Sequence, residues 1–179
     1  MFINQKTIKF ITLFCCFSIF SSISQTNEDV PLNNIVLNET PKLISSVKFE
    51  DLLGNEVHLS DYHGKLVVIN FWTTWCASCK EEIPTLDNFY ADNNFKNLQV
   101  FAVNMEQPNI EKTKKFFTDL NIKKLEIFFD KNLNFVKKFK LTGVPTTVLV
   151  NKKSEEFAKI IGSINFQNKE FSKWLNKYD

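Results

Sequence analysis

The chain has 179 residues, enough for one domain with a packed core and few for two, and its 44% apolar and 23% charged composition excludes a disordered or collagen-like class. All 22 basic residues are lysine, so a site built on the planar guanidinium fork of arginine, such as a bidentate phosphate clamp, is excluded as well. A formal charge of +2 gives no support for a nucleic-acid or anionic-membrane partner.

The first segment carries that small charge. Residues 1–9 contain Lys6 and Lys9 and no acid, and residues 10–23 form an uncharged, mostly apolar run of 14. This is the layout of a secretory signal. Ser22 and Ser24 are small residues at the two positions a signal peptidase reads, so residues 1–24 are expected to be removed. The apolar run is short of the roughly 20 residues a membrane helix needs. An uncleaved segment, which would leave an N-terminal membrane tether, is the second reading. A lipid anchor at Cys15 or Cys16 is disfavoured by the bulky Phe14. Cleavage removes both Lys6 and Lys9, leaving 20 basic against 20 acidic side chains. It also leaves Cys76 and Cys79 as the last two cysteines. In a periplasmic or other extracytoplasmic compartment, two cysteines at this spacing read as a redox pair.

Residues 25–45 are polar, contain Pro31 and Pro41 and show no period, and are expected to form a flexible lead-in to a domain covering residues 46–179. Residues 47–60 then give two short alternating runs around Gly54-Asn55, the pattern of a hairpin. Residues 65–72 (KLVVINFW) are apolar, β-branched and aromatic, as in a central strand covered on both faces. The cysteine pair follows at once, and residues 77–90 read as helix, with Ile83, Leu86, Phe89 and Tyr90 at helical spacing. Beyond it come a strand (98–105), a helix (109–121), a strand (125–130), a helix (133–140), two strands (146–151 and 156–162) and a closing helix (166–178). Alternation of this kind predicts an α/β fold with a mixed sheet flanked by helices.

Cys76 is placed at the first turn of its helix, where unpaired N–H groups and the positive end of the macrodipole favour thiolate over thiol. A free cysteine with a pKa of about 8.5 is only some 3% thiolate at pH 7, whereas one lowered to about 7 is roughly half ionised. Cys79 lies nearly one turn further on, within disulfide reach and shielded by the helix. These positions make Cys76 the attacking group and Cys79 the one that closes the internal disulfide. A zinc site would need two more ligands, and only His58 and His63 are available at unsuitable spacing. A purely structural disulfide closing so short a loop would add little stability. No metal and no cofactor beyond the dithiol is expected.

The stretch FWTTWCASCKEEIPTL, preceded by KLVVIN and followed much later by GVPTTVLV, resembles the thioredoxin superfamily, and within it the TlpA-like and ResA-like branch. The resemblance runs from about Val47 to the C-terminus. It implies a thioredoxin-like fold with the N-terminal hairpin and an extra helix-strand segment around residues 109–129. It also implies a cis Val144-Pro145 bond, with Pro145 against the disulfide and the Val144 backbone free to pair with substrate. Glu82 shares a helix face with Cys79, and the resemblance implies that it exchanges the proton of Cys79. A solvated first-turn carboxylate is the plainer reading, and it describes Glu81 well. Pro84 is expected to kink the helix. Asn70 stands where cytosolic thioredoxins have a buried Asp and cannot take up or release a proton. Trp75 and Trp72 are expected to shape the rim of the site, with plain core the alternative for Trp72.

The same resemblance implies an oxidoreductase that reduces cysteines of exported proteins, such as apocytochrome c or oxidase-assembly proteins, and is itself reduced by a membrane thiol-electron donor. A disulfide-forming oxidant or isomerase would use the same pair. Two further alternatives remain. Thr73 to Cys76 contains the TxxC of peroxiredoxins, but Ile69 stands where the fuller PxxxTxxC pattern needs proline. A copper-binding assembly factor could use the thiolates, but no histidine follows His63.

Overall fold

The computed structural model describes residues 32–44, 47–92 and 95–179. The expected signal segment, residues 1–24, lies outside them. Among the described residues eight strands form one sheet, in the spatial order β1 (Ile35–Leu43), β8 (Glu155–Ile161), β7 (Thr146–Val150), β4 (Leu66–Trp72), β5 (Leu98–Asn104), β6 (Ile127–Phe129), β2 (Lys48–Asp51), β3 (Glu56–His58). At its centre β4 (Leu66–Trp72) has every residue buried and runs parallel to β5 (Leu98–Asn104) and antiparallel to β7 (Thr146–Val150).

The apolar run that predicted β4 works because successive side chains of a strand point to opposite faces. Leu66, Val68 and Trp72 join one buried cluster with Cys79, Ile83 and Leu86 of the helix α1 (Ala77–Ala91). Val67, Ile69 and Phe71 join the other, with Phe49, Phe101, Phe135 and Phe139. The second cluster is built on aromatic contacts, among them Phe49–Phe101 at 4.9 Å between centroids and edge-on geometry, and Phe135 stacked on Phe139 at 5.6 Å.

The hairpin β2 (Lys48–Asp51) and β3 (Glu56–His58) forms as expected. Asp51 closes its turn by accepting from the Leu53 and Asn55 N–H groups, both at 2.8 Å, while Gly54 takes the left-handed conformation at φ 84°. The inserted segment is α2 (Ile110–Asp119) followed by β6 (Ile127–Phe129), which adds to the sheet parallel to β5 and antiparallel to β2. The rest comprises α3 (Asn134–Phe139), β8 (Glu155–Ile161) and α4 (Lys169–Leu175). Asp87 joins α1 to the segment before β6: its buried carboxylate accepts from the N–H groups of Lys123, Lys124 and Leu125 at 3.1, 2.7 and 2.8 Å.

One expectation is corrected. Residues 25–45 are not a structureless lead-in throughout, because β1 (Ile35–Leu43) pairs antiparallel with β8 and forms the sheet edge. Its register shifts between Leu37 and Lys42, and Pro41 falls in that interval, where a missing N–H interrupts no ladder bond. Most of β1 is exposed on both faces, so its sequence shows no buried alternation.

Candidate active site

The disulfide sits where the central strand hands over to α1. Cys76 caps that helix with extended backbone (φ −78°, ψ 113°), and its Sγ accepts from the Cys79 N–H at 3.1 Å. An N–H aimed at sulfur stabilises negative charge there, which is what a thiolate needs. The Ser78 hydroxyl lies 3.5 Å from the same sulfur, a contact the sequence reading did not anticipate. Cys76 and Cys79 are joined, with Cα atoms 5.3 Å apart. Cys76 retains 6% of its surface and Cys79 none, so of the two cysteines only Cys76 presents surface to an outside partner.

Glu82 is not a solvated first-turn carboxylate. It is 2% exposed, and its two oxygens accept separately, Oε1 from the Ile164 N–H and Oε2 from the Asn70 side-chain amide, each at 3.1 Å. Burial raises its pKa to about 7, against the lowering effect of those two hydrogen bonds. A carboxyl on the helix face of Cys79 that titrates near neutrality can take a thiol proton or return it. Asn70 also donates to Thr147 Oγ1 at 2.9 Å, so strand β4 links the carboxyl to strand β7. Pro84 lies within α1, which continues past it to Ala91.

The Val144-Pro145 bond is cis. Since Phe71 pairs with Thr146, the antiparallel register puts Pro145 level with Trp72, at the sheet end that carries the cysteine loop. Trp75 is 70% exposed beside Cys76. Trp72 instead belongs to the core: it is fully buried and stacks on Phe116 at 4.6 Å.

Glu106 is a residue that sequence reasoning missed. Its carboxylate accepts from the backbone N–H of Thr74, from the Thr74 hydroxyl at 3.0 Å and from Lys112 Nζ at 2.7 Å. Burial works against its ionisation, but the bonds from Lys112 and Thr74 prevail and hold it below the usual carboxylate range. The loop carrying Cys76 is thus tied to α2. No local pattern marks Glu106, whose partner Thr74 is 32 residues away. His58 ends β3 at the far edge of the sheet, where it lies 3.8 Å from Glu56. His63 follows a short 3-10 turn. Among the described residues no cluster of three metal-ligating side chains forms and no helix is long and apolar enough to cross a membrane.

Comparison with known proteins agrees with this geometry. The sequence model of the AhpC/TSA family matches residues 41–155. A thiol-disulfide oxidoreductase ResA of Halalkalibacterium halodurans is 34% identical over 106 residues, 59% of either chain. One of Geobacillus kaustophilus is 32% identical over 120 residues, covering 67% of this chain and 68% of that one. The chain therefore matches only about three fifths of the first relative's length. Among solved structures, StoA from Bacillus subtilis superposes with a TM-score of 0.61 at 24% identity, over 74% of this chain and 99% of that one. The thioredoxin domain of a thiol-disulfide oxidoreductase from Bacteroides vulgatus gives 0.63 at 23% identity, over 78% and 99%. These likenesses show a thioredoxin-like α/β fold.

Proposed function

The chain belongs to the AhpC/TSA family as a thioredoxin-like relative of the ResA oxidoreductases, and from that premise we propose that it is an extracytoplasmic thiol-disulfide oxidoreductase that reduces disulfides in exported proteins. The observation that carries this is the position of Cys76 as helix cap, the one cysteine of the pair that presents surface, with Glu82 buried three residues beyond Cys79.

In the reductive direction the Cys76 thiolate attacks one sulfur of a substrate disulfide. A Cys76–substrate bond forms, the substrate S–S bond breaks, and the departing thiolate takes a proton. Ionised Glu82 accepts the proton of Cys79, whose thiolate then attacks Cys76 Sγ. The internal disulfide forms and the second substrate sulfur leaves as thiolate. Two electrons and, after protonation, two protons have passed to the substrate. Trp75, the Val144 backbone and Pro145 supply the surface on which the substrate chain lies. Return to the dithiol requires a donor of two electrons, for which a membrane thiol-electron carrier is the proposed source. Apocytochrome c and oxidase-assembly proteins are the proposed substrate types.

Equilibration of the Cys76/Cys79 couple with thiol buffers tests the direction. A potential below about −230 mV supports an electron donor, whereas one near about −120 mV makes the protein an oxidant. Peroxide reduction is the second reading, favoured by the TxxC of Thr73 to Cys76. It is disfavoured by Ile69, which is buried within β4 where the fuller peroxidase pattern would need proline. Peroxide consumption by the reduced protein decides between them.

A further inference from the structure

An apolar groove of about 360 Å³ opens directly beside the reactive loop, between Trp75 and α2. Trp75, Phe116 and Leu120 provide its apolar surface, and Lys80, Lys112 and Lys115 stand around it with Asp119 as the only acid among the lining residues. The volume lies at the lower end of the range for ligand sites, enough for two or three side chains rather than a large cofactor.

With Lys112 paired to Glu106, Lys80 and Lys115 stand against the one carboxylate of Asp119, a small local excess in a chain whose charges otherwise almost balance. Lys80 has no ion-pair partner among the described residues. Lys115 pairs with Asp119 at 2.8 Å, but both side chains are more than half exposed, and such a pair yields readily to a better-placed carboxylate. Lys112 is held by Glu106, the same residue that holds Thr74, so the cationic rim and the cysteine loop share one anchor. The groove is lined by Thr74 and Trp75, the two residues that precede Cys76.

Resting on the oxidoreductase reading above, we propose that this groove is a specificity site for the polypeptide around the substrate cysteine, taking a large apolar side chain next to that cysteine with carboxylates flanking it. The apolar side chain fills the space between Trp75 and Leu120, and the carboxylates meet Lys80 and Lys115.

The test uses short peptides, each with one cysteine as a mixed disulfide with the same chromophoric thiol and a neighbouring Phe, flanked by Glu in one peptide and Lys in the other. The rate constant of exchange with the reduced protein is measured for both. The ratio between peptides cancels any effect of a substitution on Cys76 itself. The unsubstituted protein is expected to favour the acidic peptide by about fivefold at low salt, a few surface pairs' worth, with the preference shrinking as salt is raised. Lys80→Glu combined with Lys115→Glu is expected to reverse it. Leu120→Ser is expected to slow the Phe peptide but not an otherwise identical Ala peptide. Equal rates for both charge types, or a preference that survives the double charge reversal, overturns the proposal. Failure to exchange with every peptide and also with neutral hydroxyethyl disulfide overturns the oxidoreductase reading itself, and this one with it.

Discussion

Asn70 and Glu82 meet inside the protein, amide Nδ2 to carboxyl Oε2 at 3.1 Å, with Asn70 fully buried and Glu82 nearly so. Among the described residues no cation faces Glu82, and the Asn70 carbonyl oxygen has no partner. An amide here donates to the carboxylate without adding charge, whereas an aspartate would put two carboxyls together, and both could not readily ionise. One buried acid, rather than two, thus lies behind the disulfide.

Glu82→Gln is expected to change the pH dependence of stability in a defined direction. The folded carboxyl titrates near 7 against 4.5 for the free group, so between those values the folded state holds more protons than the unfolded one. Its contribution is therefore full below about pH 4.5 and declines as pH rises towards 7, by about 3 kcal/mol in total. Chemical denaturation at several pH values should show this decline in the parent protein and a flatter profile in the variant. An unchanged slope would mean that Glu82 does not titrate in this window.

The same substitution is expected to slow closure of the internal disulfide by about a hundredfold at neutral pH, because no base then receives the Cys79 proton. Stopped-flow measurement of the second exchange step, with the first monitored separately, would show whether the loss is confined to the step that Cys79 performs.

Cys79→Ser should accumulate a mixed disulfide between Cys76 and substrate, while Cys76→Ser should not, since Cys79 has no exposed surface and Cys76 has 6%. Mass spectrometry of the trapped species gives the answer. Equal trapping by both variants would remove the assignment of Cys76 as the attacking residue.

Glu106→Ala removes the acceptor of two Thr74 donors and of Lys112. The expected cost is about 1–3 kcal/mol of stability, from donors left without their acceptor, with a slower first exchange step because the loop before Cys76 loses its anchor. Denaturant titration and exchange kinetics test the two parts independently; a variant unaltered in both would show that other contacts hold the loop.

Asp87→Ala is expected to destabilise the fold by about 2–4 kcal/mol without moving the reduction potential, because three backbone donors lose one buried acceptor far along α1 from the cysteines. A shift in potential comparable to that of a site substitution would show that the α1–β6 link reaches the disulfide.

Much of this was legible because it is local. A strand such as β4 declares itself through β-branched and aromatic residues, and a helix beginning at Cys76 through apolar residues three and four apart. Both signals arise from contacts within a few positions, so the alternation of elements, the hairpin and the placement of the cysteine pair followed from the sequence itself. Other features depended on which distant segments were brought side by side. Strand β1 was invisible because an exposed edge strand needs no buried alternation, and its partner β8 lies more than 110 residues on. Glu82 could be placed on the face of Cys79 from helical spacing. Its burial, and the raised pKa that burial causes, came only with packing, in which Asn70 on β4 and Ile164 beyond β8, 82 residues away, donate the hydrogen bonds that oppose the rise. Glu106 acquired its role only when α2 packed beside the cysteine loop. Spacing along the chain determines which side chains share a face; sheet register and packing determine what that face meets, and so which carboxyl titrates near neutrality and which anchors a loop.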